Sequence, residues 1–558
     1  MISITQPGRS GVFRVVNSLS FFCLRNKKIF VAIIILVIAN LPYLIHIQQD
    51  LEPFFPRPYD VVCHDEASFG MNAKDILLFG RHSLEHDRLY IIWALNVLIA
   101  LVSFSLFGIS LAALRLPYIV LNILCNILFF DFVRRTAGKR IAFVTTFLFT
   151  FFPSRILIGK SGMVESLVLP LIMAISWTMI FSYKRPRIHF FLGLLSGLAG
   201  IAKFDNLIVF LFLLTFAIID DIIEKNTKHT KCHLVRTKWL LIGFGIVALG
   251  WGIFAVVSGL ENFIYYYKFE LGINIPRLWF FEFRGNMGSL KLIKANMEKV
   301  WSAIPVFPLL ICVLIPLIMK KLILRDFSSW RNPLFRGIIL FFGLLVFKIA
   351  FSISFPIWRL APCYPLPFLM MAYVCIDYEM SPKLRVSNRP FSLFNRVGMV
   401  LVGVCILFFI LPLANTSLQR LRQIIFHPTY RILESIERVR KTLNPRFRIV
   451  FAEGHFTYLT LFLPVKCYDV VPNIKAKDFF TLESDPKKMW TTIQRDKQIA
   501  YLMVREENKL VLEFVESIPG AQLIMTNVLP YGSEGRIYQI RWPQNDKQTG
   551  VELRGKWE

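Results

Sequence analysis

Carboxylate and histidine side chains cluster in one short stretch near the start of the chain, "VVCHDEASFGMNAKDILLFGRHSLEHDRLY" at residues 61–90. A carboxylate such as Asp65 or Glu66 can accept the proton of an attacking hydroxyl group, and a histidine such as His86 can orient the attacking molecule. Two plainer interpretations stay open on this stretch alone. The acids could cap a helix N-terminus, and the segment around His86 could be a solvated loop.

Charged residues recur in three later stretches that border apolar runs. Lys160 and Glu165 lie in "ILIGKSGMVESLVLPLIM", Lys203 and Asp205 in "LAGIAKFDNLIVF", and Arg359 in "FPIWRLAPCYPLPF". A charge beside hydrocarbon is costly unless it is paired, hydrated or functional. Cations at this depth could hold a membrane-embedded phosphate. A structural ion pair between Lys160 and Glu165 is the plainer alternative.

The elements that would position these residues belong to a membrane protein. The chain has 558 residues, 55% of them hydrophobic and 15% aromatic, and its mean hydropathy is +0.54. These values predict a polytopic helical protein. The net charge of +27 does not indicate nucleic acid, because the basic residues form short clusters between apolar runs, as in loops that face anionic lipid. Nine scattered cysteines, without CxxC, predict neither a disulfide framework nor a zinc site.

The basic clusters also predict the topology. Residues 1–28 contain arginine and lysine but no acid, so they are predicted to be cytoplasmic, followed by an uncleaved first span at about 29–47. The apolar segment 89–108 would reverse the sidedness of every later basic cluster if it crossed the membrane, so it is predicted to lie at the outer interface or to re-enter. About eleven spans then remain, and the charged stretches above face outward.

Three further regions follow from the same pattern. Residues 29–415 form the predicted transmembrane domain, with a first outer loop at 48–113. After Asp65 the apolar residues of "ASFGMNAKDILLFG" recur at helical spacing and predict an amphipathic helix on the membrane surface, with the acids at or just before its start. Residues 420–558 contain strand-like runs, among them "RFRIVFAEG", "IAYLMVREE", "AQLIMTN" and "GRIYQIRW", and predict a small extracytoplasmic α/β domain.

Taken in order, these motifs resemble those of the GT-C membrane glycosyltransferases, in particular the protein O-mannosyltransferase family and the lipid A aminoarabinose transferases. The resemblance covers about residues 30–375. It rests on Asp65-Glu66 before an amphipathic helix, on His86 in "HDRLYIIWAL", which lacks the family's two prolines, and on "LFGISLAALRLP". It rests further on three later motifs, namely "GKSGMVES" with Lys160 in place of the family's arginine and Glu165 as its acid, "GLLSGLAGIAKFD" with Lys203, and "RLAPCYPLPFLMMA" with Arg359.

The resemblance implies an enzyme that moves a sugar from a polyprenyl-phosphate carrier to an acceptor on the extracytoplasmic face, with inversion at the anomeric carbon. It implies that Asp65 is the base and that Lys203 and Arg359, with Lys160, stabilise the departing phosphate. It also implies that Glu165, Glu66 and His86 orient the acceptor or hold an ion. No cofactor is firmly implied and no metal is required, although a divalent cation stays an open alternative.

Other functions and partners remain open at this stage. A transporter or lipid flippase would also use buried charges, but would more often place them mid-span, in repeated halves with broken helices. A non-catalytic scaffold would act through its outer domain. The acceptor could be a protein hydroxyl, a lipid A headgroup or a growing glycan. The expected location is a bacterial inner membrane, with archaeal and endoplasmic reticulum membranes as alternatives.

Overall fold

The structure is a computed structural model. Apart from a few isolated positions, it describes residues 62–79, 94–182, 185–228, 234–257, 332–351, 357–380, 431–443, 448–451, 467–469, 499–505, 509–518, 520–526 and 535–540, together with residues 40, 43–45 and 47–48 at the end of the first apolar run. The chain divides into two compact units. The first comprises Met1–Leu51, Ile91–Ile99 and Leu111–Pro428, and the second comprises Glu52–Tyr90, Ala100–Ser110 and Thr429–Glu558.

Helices dominate the described residues before the C-terminal part. They are α1 (Val62–Phe79), α2 (Ala94–Phe107), α3 (Leu111–Ala137), α4 (Lys139–Thr150), α5 (Pro153–Lys160), α6 (Val164–Ser182), α7 (Ile188–Ala202), α8 (Leu207–Lys228), α9 (Val235–Val257), α10 (Pro333–Phe351) and α11 (Pro365–Met380). Two 3₁₀ segments, η1 (Phe204–Asn206) and η2 (Ile357–Cys363), precede α8 and α11. Pro153 stands in the first turn of α5, where its missing N–H has no helical partner to lose.

Four helical segments among the described residues are long and apolar enough to cross a membrane: Leu111–Ala137, Val164–Ser182, Phe204–Glu224 and Val235–Val257. The predicted class, a mostly helical membrane protein, is therefore confirmed. The predicted number of spans extends beyond the described residues and stays a prediction. Helix α2 has 14 residues, which at 1.5 Å per residue gives about 21 Å. That is less than a hydrocarbon core of ~30 Å, but whether segment 89–108 crosses the membrane also stays a prediction.

Helix α1 differs from its predicted form. It begins at Val62, so Asp65 and Glu66 lie inside the helix rather than at its cap. All six residues 69–74 are buried, and six consecutive residues cover the whole circumference of a helix with 3.6 residues per turn. The prediction of a surface helix with one exposed polar face is therefore wrong at its centre. The polar residues Asn72 and Lys74 are tolerated there because each has an interaction partner in the fold.

Buried ion pairs join one end of α8 to its neighbours. Asp220 accepts two hydrogen bonds from the guanidinium of Arg336 on α10, at 2.7 and 2.6 Å. The guanidinium of Arg236 on α9 donates to Asp221 at 3.2 Å and also donates to Glu224. Arg236 and Arg336 belong to basic clusters that were predicted to lie in loops, but both are paired inside the protein. A buried charge without a partner is strongly destabilising, so each buried arginine requires an acid beside it.

Helices α7 and α9 pack with their backbones almost in contact. A Cβ atom on Gly193 would lie 2.2 Å from the carbonyl oxygen of Leu240, and one on Gly243 would lie 2.0 Å from that of Phe190. Small residues that admit such close approach are typical of helix pairs in membranes, where packing rather than water exclusion drives association.

Replacing Gly243 by Ala is expected to destabilise the protein, because the new methyl group would collide with backbone that cannot rotate away. Overpacking of this kind costs about 1–3 kcal/mol. Thermal unfolding in detergent should show a lower midpoint. Gly245→Ala is the matched control, since a Cβ at Gly245 meets nothing within 4 Å. Equal midpoints for the two variants would contradict the packing argument.

The C-terminal part contains a five-stranded mixed sheet with the order β2-β1-β3-β5-β4. Its strands are β1 (Arg448–Phe451), β2 (Cys467–Asp469), β3 (Ile499–Arg505), β4 (Ala521–Met525) and β5 (Gly535–Ile540), and two helices, α12 (Arg431–Thr442) and α13 (Lys509–Glu516), lie between or before them in sequence. Strand β1 is parallel to β2 and β3, while β5 is antiparallel to β3 and β4. The boundaries and the extracytoplasmic location of this part stay predictions.

Candidate functional site

An ion pair whose glutamate is buried and whose lysine is partly exposed joins the start of α6 to the end of α7. The Nζ atom of Lys203 lies 2.6 Å from Oε1 of Glu165, and the two side chains are 17% and 4% exposed, respectively. Glu165 is in the first turn of α6. Lys203 ends α7 in an extended conformation, which turns its side chain out of the helix. The suggested pair between Lys160 and Glu165 is replaced by this one.

Lys160 instead binds backbone. Its Nζ donates to the carbonyl oxygen of Ile45 at 3.0 Å, and the guanidinium of Arg115 donates to the carbonyl oxygen of Ile47 at 3.0 Å. Both cations are fully buried. Burial, and secondarily the charge of Arg115, lower the pKa of Lys160 to about 7. Lys160 therefore fastens the end of the first apolar run to the end of α5, and Arg115 fastens it to the start of α3.

Hydrogen bonds also fix the turn that carries Glu165. The hydroxyl of Ser166 donates to the carbonyl oxygen of Ile158 at 2.5 Å and lies 3.1 Å from the hydroxyl of Ser161. The side-chain amide of Asn122, on α3, lies 3.4 Å from the carbonyl oxygen of Ser166. Buried polar contacts of the neighbouring Ser166 thus fix the helix turn that carries Glu165.

Arg155 is a buried cation that the sequence analysis missed. Its guanidinium donates to the carbonyl oxygen of Asn122 at 3.1 Å and to Oδ1 of Asn126 at 3.2 Å. It also lies over the ring of Phe149, 5.0 Å from the centroid. The two asparagines, embedded in the apolar run of α3, and the lone arginine in "FFPSRILIG" were the sequence signals for this contact between α3 and α5.

A second ion pair lies on the same turn as the first. The Nζ atom of Lys348 is 2.6 Å from Oδ2 of Asp205, and the side chains are 2% and 25% exposed, respectively. Lys348 is in the last turn of α10. Its signal in the sequence was a lone lysine inside the apolar run "GIILFFGLLVFKIAF", which membrane burial makes costly without a partner.

Arg359 lies in η2, and its side chain is outside the described part of the chain. Its segment is nevertheless placed, because η2 packs against α5, α6 and α10. The last residue of η2, Cys363, is buried, which raises the pKa of its thiol to about 12, and the charges of Lys348 and Asp205 also act on it. The segments that carry Lys160, Glu165, Lys203 and Arg359 therefore meet at one end of the first unit.

The acids of the predicted first outer loop are described only in part. Glu66 is buried in α1 and has an interaction partner. Asp65 belongs to the same helix, but its side chain, like the whole of His86, lies outside the described residues. Their roles stay predictions. Within the described residues, no group of three or more His, Cys, Asp or Glu side chains is placed to hold a metal ion.

Comparisons with known proteins bear on this arrangement. The family model of the dolichyl-phosphate-mannose-protein mannosyltransferases matches residues 94–251. The chain is similar to ArnT from Cupriavidus metallidurans, whose crystal structure is known in the apo state. The two sequences are 12% identical, and the structural match covers 92% of this chain and 98% of the ArnT chain, with a TM-score of 0.57. The same protein bound to undecaprenyl phosphate is 13% identical, with the same coverage and a TM-score of 0.58. No curated protein sequence matches the chain.

A further structure, the archaeal oligosaccharyltransferase AglB from Archaeoglobus fulgidus in complex with an inhibitory peptide and a dolichol-phosphate, is 11% identical. The match covers 91% of this chain and 74% of the AglB chain, with a TM-score of 0.46.

These findings confirm the resemblance to the GT-C membrane glycosyltransferases. Among those proteins, ArnT shares its fold with this chain over nearly the full length of both proteins. The family match runs from α2 into α9 and includes Lys160, Glu165 and Lys203. The motifs around Asp65 and Arg359 lie outside it.

Proposed function

We propose that this protein is a glycosyltransferase that moves a sugar from a polyprenyl-phosphate donor to an acceptor on the extracytoplasmic face of a membrane. The observation that carries the proposal is the ion pair of Lys203 and Glu165, in a chain that shares the fold of ArnT, a protein whose structure holds undecaprenyl phosphate. The match to the mannosyltransferase family model supports the same class of donor.

Lys203 is the proposed ligand of the donor phosphate. The phosphate leaves with the electrons of the bond to the anomeric carbon, so its negative charge grows during the reaction. A fixed cation stabilises that charge most effectively where water is scarce. Glu165 orients the Lys203 ammonium from its buried side. From its motif position, Arg359 is proposed as a second cation that binds the donor phosphate. Lys160 is proposed to act indirectly, by fixing the end of α5 near Glu165 through its bond to the Ile45 carbonyl group.

Asp65 is the proposed base. The acceptor hydroxyl attacks the anomeric carbon from the side opposite the phosphate, its proton passes to the Asp65 carboxylate, and the carbon–phosphate oxygen bond breaks, with inversion. Glu66 and His86 are proposed to orient the acceptor. These assignments rest on motif position and on the chemistry that an attacking hydroxyl requires.

The proposed location is a bacterial inner membrane, with the N-terminus cytoplasmic and the C-terminal part extracytoplasmic. Basic clusters between the apolar runs support this orientation. The partners are then the lipid-linked donor, the surrounding lipid and an acceptor that is a protein, a lipid or a glycan.

The proposal is tested by following the donor. We expect purified protein to carry copurified polyprenyl phosphate or its sugar conjugate, identified by mass spectrometry. When undecaprenyl phosphate linked to a labelled sugar is supplied with an extract of cell-envelope acceptors, free undecaprenyl phosphate and a labelled acceptor should appear together. Movement of intact donor across a vesicle membrane, with no new covalent bond, would instead identify a flippase.

A further inference from the structure

The turn at residues 203–206 presents one ion of each sign to the surface. In the first pair, Lys203 is the accessible member, while Glu165 is almost fully buried behind it. In the second pair, Asp205 is the more accessible member, with a quarter of its side chain exposed although its Oδ1 atom is buried, and Lys348 is the buried one. Each accessible charge is therefore held from the protein side by a counter-ion that a ligand cannot readily reach.

We propose that this turn recognises the sugar and the phosphate of the donor together: Lys203 binds the phosphate, and Asp205 accepts hydrogen bonds from hydroxyl groups of the attached sugar. This inference rests on the proposed function and extends it, because it assigns a sugar-binding residue. Lys348 acts through Asp205 and is a positioning residue.

The spacing of the two accessible charges suits a sugar joined directly to a phosphate. Lys203 and Asp205 are two residues apart, so their Cα atoms are separated by at most about 7 Å. The turn between them is fixed, because both the backbone N–H and the side-chain amide of Asn206 bond to the carbonyl oxygen of Lys203, each at 3.0 Å. The backbone positions that carry the Lys203 ammonium and the Asp205 carboxylate are thus held at a fixed distance from each other.

The chemistry of Asp205 favours hydroxyl groups over the phosphate. An ionised carboxylate only accepts hydrogen bonds, and its two oxygens can receive several. It repels a phosphate, whereas sugar hydroxyls are donors. Lys348 fixes the Oδ2 atom of Asp205 from the protein side. Next to Asp205, Oδ1 of Asn206 is a buried acceptor with no hydrogen-bond partner among the described residues.

A binding experiment separates the sugar contact from the phosphate contact. The full-length protein in detergent would be titrated with undecaprenyl phosphate and with its conjugates to mannose, glucose and aminoarabinose. We expect the wild type to bind at least one conjugate more tightly than the bare carrier. Asp205→Asn should weaken the binding of that conjugate about 10-fold or more, as expected for a lost hydrogen bond to a charged group. The affinity for the bare carrier should be unchanged. Lys203→Met should abolish measurable binding of both the conjugate and the bare carrier.

Two further variants test whether the pair of Asp205 and Lys348 is only structural. Asp205→Glu should recover part of the preference for the conjugate. The double variant Asp205→Asn with Lys348→Met removes both charges and should not recover the preference for the conjugate. If the pair were only structural, this neutral replacement would remove the unpaired buried charge and restore the preference.

Three results would overturn the inference. Asp205→Asn could retain the preference for the conjugate, or it could lower the affinities for the conjugate and the bare carrier equally. The wild type could also bind no conjugate more tightly than the bare carrier. Failure of the proposed function is a different result: the wild type would bind neither form of the carrier and transfer no sugar.

Discussion

Asp65→Asn is expected to lower the rate of sugar transfer by about 10²–10⁴-fold, which is the usual contribution of a general base. Asparagine has nearly the same shape but cannot take the proton of the acceptor hydroxyl, so the loss should fall on kcat. Binding of undecaprenyl phosphate should be unchanged, because the phosphate contacts are assigned to other residues. The measurement is donor turnover by the purified variant at saturating donor.

Asp75→Asn is the matched control for Asp65→Asn. Asp75 lies in the same helix, α1, and the substitution makes the same chemical change. We expect this variant to retain turnover close to that of the wild type and both variants to insert and unfold alike. Full activity of Asp65→Asn would remove Asp65 as the base, and an equal loss in both variants would indicate a helix defect instead.

Lys203→Met is expected to abolish measurable binding of undecaprenyl phosphate and also to destabilise the protein. The substitution removes the proposed phosphate ligand and leaves the Glu165 carboxylate buried without its observed partner. Breaking a buried pair by removing one member typically costs about 3–5 kcal/mol. The measurements are carrier affinity and the midpoint of thermal unfolding in detergent.

The double variant Lys203→Met with Glu165→Gln separates the two effects. Neutralising Glu165 removes the isolated charge, so the unfolding midpoint should return toward that of the wild type, while carrier binding and transfer stay lost. Lys139→Met, an exposed lysine at the start of α4, should change neither quantity. If the double variant recovered transfer as well, the pair of Lys203 and Glu165 would be structural only.

The sequence was sufficient to identify charged residues at the ends of apolar runs. Lys160, Glu165 and Lys203 stand out because each borders hydrocarbon, and the energetic reason is local to each stretch. The partner of each charge was not predictable in the same way. Glu165 pairs with Lys203, 38 residues further along the chain, rather than with Lys160 in the preceding turn.

Pairs that are remote in sequence depend on how the helices pack. Lys348 and Asp205 are 143 residues apart, and they meet because α10 lies against α8 and η2. Arg155 is similar, since its burial requires the asparagines of α3. Apolar periodicity does not encode such contacts, because an apolar helix in a membrane protein can pack through any of its faces.

By itself the sequence determined the class of this protein, a helical membrane protein with charged residues at the ends of its apolar runs, because hydropathy and charge clustering are local properties. It also supported the resemblance to GT-C membrane glycosyltransferases through the order of short motifs. Only the tertiary structure decided that α1 is enclosed at its centre, that Lys160 holds a carbonyl group and that Lys203 and Asp205 are the accessible members of two ion pairs. Those features depend on which helix ends come together, and buried charges must find their partners wherever packing places them.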